Sequence, residues 1–222
     1  MADKNRNSEL VKRISAVGMF SALAFALTML CKLIPDVAGF LALDAKDAVI
    51  VISAFVYGPL TAPLVSLITS LIEFIVTGGD TLFWGFLMDF LSSAAFTLTA
   101  SIVYKYKKTY NGAIFGLGLS VVVTTAVMIL LDIFIIPLYT GATRDIVISM
   151  IPGVLLPFNF AKTLMNSALA LLLYKPTINA MRMAHLVPKK EHKTAFTKSS
   201  LLTIIISAAA LIVAAVILII IW

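Results

Sequence analysis

Lys162 lies near the middle of an apolar stretch long enough to cross a bilayer, in the run Pro157-Phe158-Asn159-Phe160-Ala161-Lys162. An ammonium group at that depth is strongly disfavoured unless it meets a counter-charge or a cavity, so such a residue marks a functional site by default. Three acids, Glu73, Asp89 and Asp132, also fall within apolar stretches. Asn159 precedes Lys162 by three residues and Asn166 follows it by four, which puts all three on one face of a helix. Amides, carboxylates and an ammonium on three helices at similar depth could converge on one ligand. The segment Phe40-Leu41-Ala42-Leu43-Asp44-Ala45-Lys46-Asp47 mixes apolar and acidic residues, and it reads as a loop that packs over something. The alternative is purely structural: Lys162 and one of the aspartates form an interhelical ion pair. Glu73, near a helix end, reads as a snorkelling or capping residue. Tyr57, Phe83, Trp84 and Tyr139 read mostly as interfacial belt residues.

The elements that must position these groups are membrane helices. The chain has 222 residues, of which 61% are hydrophobic, and a mean hydropathy of +1.05. That is too apolar for a soluble domain. Runs of about 20 residues without period-2 alternation indicate helices and an all-α polytopic membrane protein. Expected spans are 14–34, a short 47–57, 60–77 after a break at Gly58-Pro59, 82–104 after a turn at Gly78-Gly79-Asp80, 112–138, 148–174 and 201–222. The first six form one bundle, and the last is an additional seventh helix. The corresponding units are an N-terminal segment 1–13, a six-helix membrane domain 14–180, a basic link 181–199 and a terminal helix 200–222.

The net charge of +6 sits in short loops, which suits membrane orientation better than nucleic acid. With the N-terminus inside, the inner segments hold Lys4, Arg6, Lys12, Arg13, Lys105, Lys107, Lys108, Lys175, Arg182, Lys189, Lys190, Lys193 and Lys198. The outer loops hold Lys32, Lys46 and Arg144. That asymmetry predicts a cytoplasmic N-terminus. No cleaved signal peptide is expected. A single cysteine, Cys31, excludes an internal disulfide and a thiolate metal cluster. No P-loop, H-E-x-x-H or G-x-S-x-G pattern is present, and His185 and His192 lie in the basic link. The expectation is therefore a protein that is not an enzyme, with no cofactor and no metal. An ion-coupled secondary transporter using Asp89, Asp132 and Lys162 as a relay is the rival, although the chain lacks the internal repeat common in that class. Gly18, Ala22 and Ala26, spaced by four, make a flat strip on the first helix that suits close approach by another helix, inside the bundle or outside it.

The loop 40–47 followed by Gly58-Pro59-Leu60, the run Ile136-Pro137-Leu138-Tyr139, the run Leu156-Pro157-Phe158-Asn159-x-x-Lys162, and Tyr104-Lys105-Tyr106-Lys107-Lys108 before Gly112 together resemble the S-components of energy-coupling factor (ECF) vitamin transporters. The likeness spans residues 14–180 and is greatest for the riboflavin-specific type. It implies a six-helix subunit in a bacterial cell membrane that captures a vitamin from outside. The vitamin would be riboflavin or, alternatively, another vitamin or a purine-like ligand. The partners would be a membrane coupling subunit, two cytoplasmic ATPases and membrane lipid. It also implies that Leu41, Leu43, Asp44, Asn159 and Lys162 bind the vitamin, with Asp89 and Asp132 beside them. The strip Gly18, Ala22 and Ala26 would face the coupling subunit. The chain departs from the type in carrying Asp89 and Asp132 at positions where asparagine is usual, and Thr69-Ser70 where Lys-Asn is.

Overall fold

The computed structural model describes residues 2–77, 82–107, 109–184 and 198–221. Its helices are α1 (Ala2–Cys31), α2 (Lys46–Tyr57), α3 (Thr61–Thr77), α4 (Leu82–Tyr106), α5 (Tyr110–Thr140), α6 (Arg144–Met150), α7 (Leu156–Met183) and α8 (Lys198–Ile221). A π-helical turn, Ile151–Leu155, welds α6 to α7. Among the described residues there is no strand, only an isolated bridge between Val37 and Leu41. Among the described residues, five stretches are long and apolar enough to cross a membrane: Leu10–Cys31, Phe83–Tyr106, Asn111–Thr140, Arg144–Met183 and Leu202–Ile221. The expected second and third spans are the short helices α2 and α3, of 12 and 17 residues.

α2 explains the architecture. Its sequence, Lys46-Asp47-Ala-Val-Ile-Val-Ile-Ser-Ala-Phe-Val-Tyr57, is apolar on every side after its first turn, and such a helix belongs in an interior. Accordingly α2 packs against α1, α3, α4 and α7 at once, and everything from Lys46 to Ala54 is buried. Around it α1 packs on α3, α3 on α4, α4 on α5 and α5 on α7. Phe20, Ile50, Ile52 and Val65 anchor the α1–α2–α3 contact. Gly58 stops α2 with φ +99° and ψ 164°, a conformation open to glycine and strained for other residues. Gly116 lets α5 lie close to α4: a Cβ there would stand 2.7 Å from the Ala100 carbonyl oxygen.

Several boundaries differ from expectation. α1 begins at Ala2, inside the segment 1–13, because nothing from Ala2 to Arg13 breaks a helix, and it ends before Ile34-Pro35. The expected span 148–174 is longer at both ends. Pro176 sits inside α7, which runs through residue 180 to Met183. The prolines at 152 and 157 lack N–H groups, and the turn between them widens so that Leu156 N–H bonds Ile151 O. The turn Gly78-Gly79-Asp80, Lys108, and residues 185–197 of the basic link with His185 and His192 lie outside the described residues.

The 32–45 segment contains a tight turn that its overall length hides. Ala38 and Gly39 both have positive φ, 53° and 78°. Phe40 N–H and Leu41 N–H both bond Val37 O, while Val37 N–H bonds Leu41 O. The paired residues Val37 and Leu41 thus enclose a three-residue turn whose first two residues are left-handed.

Candidate functional site

The α1–α2 loop closes over a cavity walled by α3, α4, α5 and α7. Its volume of about 190 Å³ is more than ten times the roughly 10–15 Å³ that one water needs, so it suits a small organic molecule. Leu41, Leu43, Asp44, Asp89, Asp132, Asn159 and Lys162 all line it. Residues from the loop and from three helices, far apart in sequence, thus meet at one cavity.

Lys162 is paired with Asp44 of the loop, Nζ to Oδ2 at 2.6 Å. The interhelical alternative is thereby corrected: Lys162 makes its salt bridge to the loop, and neither Asp89 nor Asp132 is its salt-bridge partner. Burial pushes the Asp44 carboxyl up, but the nearby Lys162 and Lys46 ammonium groups outweigh it and hold Asp44 below the usual aspartate range. Asn166, fully buried, secures the same corner. Its Nδ2 donates to the Asp44 carbonyl (2.9 Å) and the Lys162 carbonyl (3.1 Å). Its Oδ1 accepts Ala48 N–H at 3.0 Å, meeting one of the N–H groups that the start of α2 leaves unpaired. One amide thus ties loop, α2 and α7 together.

A second ionic centre was not foreseen. Lys46, counted above as an outer-loop charge, is buried in the first turn of α2, with its side chain 1% exposed. It bonds Glu73 Oε2 at 2.9 Å and Asp89 Oδ2, and Ser70 Oγ donates to the same Asp89 oxygen at 2.5 Å. Glu73 also meets Lys32, Oε1 to Nζ at 3.2 Å. Glu73 is thus a bridging counter-ion, which corrects the snorkelling or capping reading. The position of Lys46 beside Asp44 and Asp47 does not separate a solvated loop charge from one buried with α2.

Asp132, 1% exposed, is held from α7. Asn159 Nδ2 donates to its Oδ2 at 2.9 Å and to the Leu155 carbonyl at 2.9 Å. The other carboxyl oxygen, Oδ1, has no hydrogen-bond partner among the described residues. Asp132 as a residue lines the cavity. The apolar walls include Phe40, Phe74, Phe86, Met88, Met128, Phe158 and Tyr139. Tyr139 is therefore a lining residue, a correction to its belt assignment. Among the described residues no grouping of His, Cys, Asp and Glu is suited to a metal ion.

Gly18, Ala22 and Ala26 do not line the cavity. All three are exposed, while Ala16, Phe20, Ala24 and Thr28 turn inward. The strip is on the outside of the bundle, and no neighbouring atom lies within 4 Å of the space beside Gly18.

Comparison with known proteins adds the following. The family described as ECF transporter, substrate-specific component, matches residues 12–174. The riboflavin transporter RibU of Staphylococcus aureus (strain TCH60) is 31% identical over 183 residues, covering 79% of this chain and 95% of RibU. The riboflavin transporter FmnP of Bacillus subtilis (strain 168) is 27% identical over 188 residues, covering 79% of this chain and 98% of FmnP. The solved structure of the S component of a bacterial ECF transporter matches with a TM-score of 0.67 at 31% identity, over 78% of this chain and 99% of that one.

Proposed function

The chain belongs to the substrate-specific components of ECF transporters, and from that premise we propose that riboflavin is the ligand of the cavity beneath its α1–α2 loop. The observation that carries the reading is Asp132. Asp132 lines the cavity and keeps one carboxyl oxygen without a hydrogen-bond partner among the described residues; an isoalloxazine ring carries an N–H between two carbonyl oxygens that would supply the donor. Relatives named as riboflavin transporters support the same ligand. Phe40, Phe74, Phe86 and Phe158 would enclose the ring. Lys162 and Asn159 would reach its carbonyl edge or its polyol, and Asp44 and Asp89 the polyol hydroxyls. An analogue missing one partner leaves a buried polar group unpaired, which makes the site selective.

In this reading the subunit captures its ligand and a coupling subunit with two ATPases supplies the work. Gly18, Ala22 and Ala26 would seat the coupling subunit, since their exposure leaves a helix-sized flat strip free. The bundle sits in the cell membrane with its N-terminus in the cytoplasm. Lys105, Lys175 and Arg182 lie at the ends of α4 and α7 remote from the cavity, and basic residues favour the inner face.

The test is a fluorescence titration of the purified chain with riboflavin. Flavin emission is expected to fall stoichiometrically at low ligand concentration, and Lys162→Met to abolish the fall. A native protein that leaves the emission unchanged refutes riboflavin as ligand. A Lys162→Met variant that binds as tightly as the native chain refutes the site.

A further inference from the structure

α8 has no counterpart in the family match, which ends at residue 174, and the relatives are covered almost end to end by about four-fifths of this chain. It is not needed for the shared fold, yet it is not loose. α8 lies against α7 along a stripe of Thr203, Ser207 and Ala214, all buried. Small side chains at such a seam let two helices approach closely. The stripe then changes character. Leu218 and Ile221, at the end of α8, pack against the cluster formed by Val37, Leu41, Ile136, Val147, Leu155 and Phe158. Leu41 and Phe158 line the cavity, and so do Phe40, Leu43 and Tyr139, which pack on the same cluster. The end of α8 therefore presses on the back of a wall whose front faces the ligand site.

We propose that α8 braces the α1–α2 loop, with Leu218 and Ile221 as positioning residues that slow ligand escape. Neither side chain lines the cavity. They act by holding the cluster through which Val37 and Leu41 seat the loop. Where ligand leaves past that loop, thinning the apolar packing behind it raises the population of the lifted state. The inference rests on the riboflavin reading for its ligand, and it is framed so that the two can fail separately.

The experiment uses the full chain with riboflavin as the probe. Leu218→Ala/Ile221→Ala is compared with Ile212→Ala/Ile219→Ala, on the side of α8 that is 64% and 75% exposed. Riboflavin dissociation is expected to speed up about five- to tenfold in the first pair and to stay at the native rate in the second, because truncations at such positions act mainly on the off-rate. In parallel, Val37→Cys is placed in a Cys31→Ser background without ligand, and its labelling by a water-soluble maleimide is timed. Labelling is expected to be several-fold faster with the Leu218/Ile221 pair. Unchanged dissociation together with unchanged labelling overturns the brace. If the native chain binds no riboflavin, the ligand reading fails and the labelling rates alone decide the brace.

Discussion

Replacing Lys162 by methionine removes one half of a pair whose side chains are 13% and 8% exposed, Lys162 and Asp44. The Asp44 carboxylate is then left in a buried setting where its Oδ1 already has no partner among the described residues. Breaking a buried pair from one side typically costs about 3–5 kcal/mol, and the residual exposure argues for the lower end, about 3 kcal/mol. Replacing both partners, as Asp44→Leu/Lys162→Met, removes the orphaned charge and should bring stability back to within about 1 kcal/mol of native. Equilibrium unfolding of the detergent-solubilised, ligand-free protein measures both. Since the Asp44 carboxyl is held below its usual range, the pair contributes fully above about pH 4 and its contribution fades as pH falls further. The difference between native and single variant should shrink on that acid limb. Riboflavin titration then separates holding from binding: the double variant regains stability but not affinity. A single variant less than about 1 kcal/mol below native, or a double variant no better than the single, refutes the pairing argument.

Other perturbations test other parts of the framework. Asn166→Leu should orphan Ala48 N–H and the Asp44 carbonyl, lowering stability by about 2–6 kcal/mol at roughly 1–3 kcal/mol for each unpaired buried group; a denaturation curve within about 1 kcal/mol of native contradicts the tie. Gly116→Val should force α5 off α4, at about 1–3 kcal/mol for overpacking, read as a lowered unfolding midpoint. Ala22→Trp on the exposed face of α1 should leave riboflavin affinity unchanged while abolishing uptake in cells that contain the coupling module; normal uptake would remove α1 from the docking surface.

Much of the site was legible in the sequence because a membrane makes polar residues conspicuous. Lys162, Asp89 and Asp132 stand out against apolar neighbours, and the Asn159/Lys162/Asn166 spacing fixes a face, so their meeting at one cavity follows from helix geometry. Lys46 was not legible in the same way. It stands beside Asp44 and Asp47 at the start of a helix, and local sequence cannot distinguish a solvated loop charge from one drawn inside with that helix. Only the packing of α2 against four neighbours decides it. Glu73 and Tyr139 were misread for a related reason: position near a helix end predicts an interface, but the α1–α2 loop folds over those ends and turns them into interior. The π-turn at Ile151–Leu155 was equally hidden, since its two prolines mark a disturbance without saying which register results.

The charge balance of the cavity carries a consequence for specificity. The lysines on its lining are both engaged, Lys32 with Glu73 and Lys162 with Asp44, and Lys46 beside it is held by Glu73 and Asp89. Asp36 and Asp132 add further acidity to the same lining. A dianionic phosphate on the ligand would find no unpaired lysine there and would have to take one from an acid, leaving that acid orphaned. At roughly 1.4–3 kcal/mol for such an exchange the phosphorylated flavin should bind about 10- to 150-fold more weakly than riboflavin. The two ligands share every ring contact, so the ratio isolates the charge effect. Added salt should narrow it only slightly, because screening is weak for buried pairs. Equal affinities for the two would mean that the ribityl end lies outside the acidic cavity, with the ring alone beneath the loop.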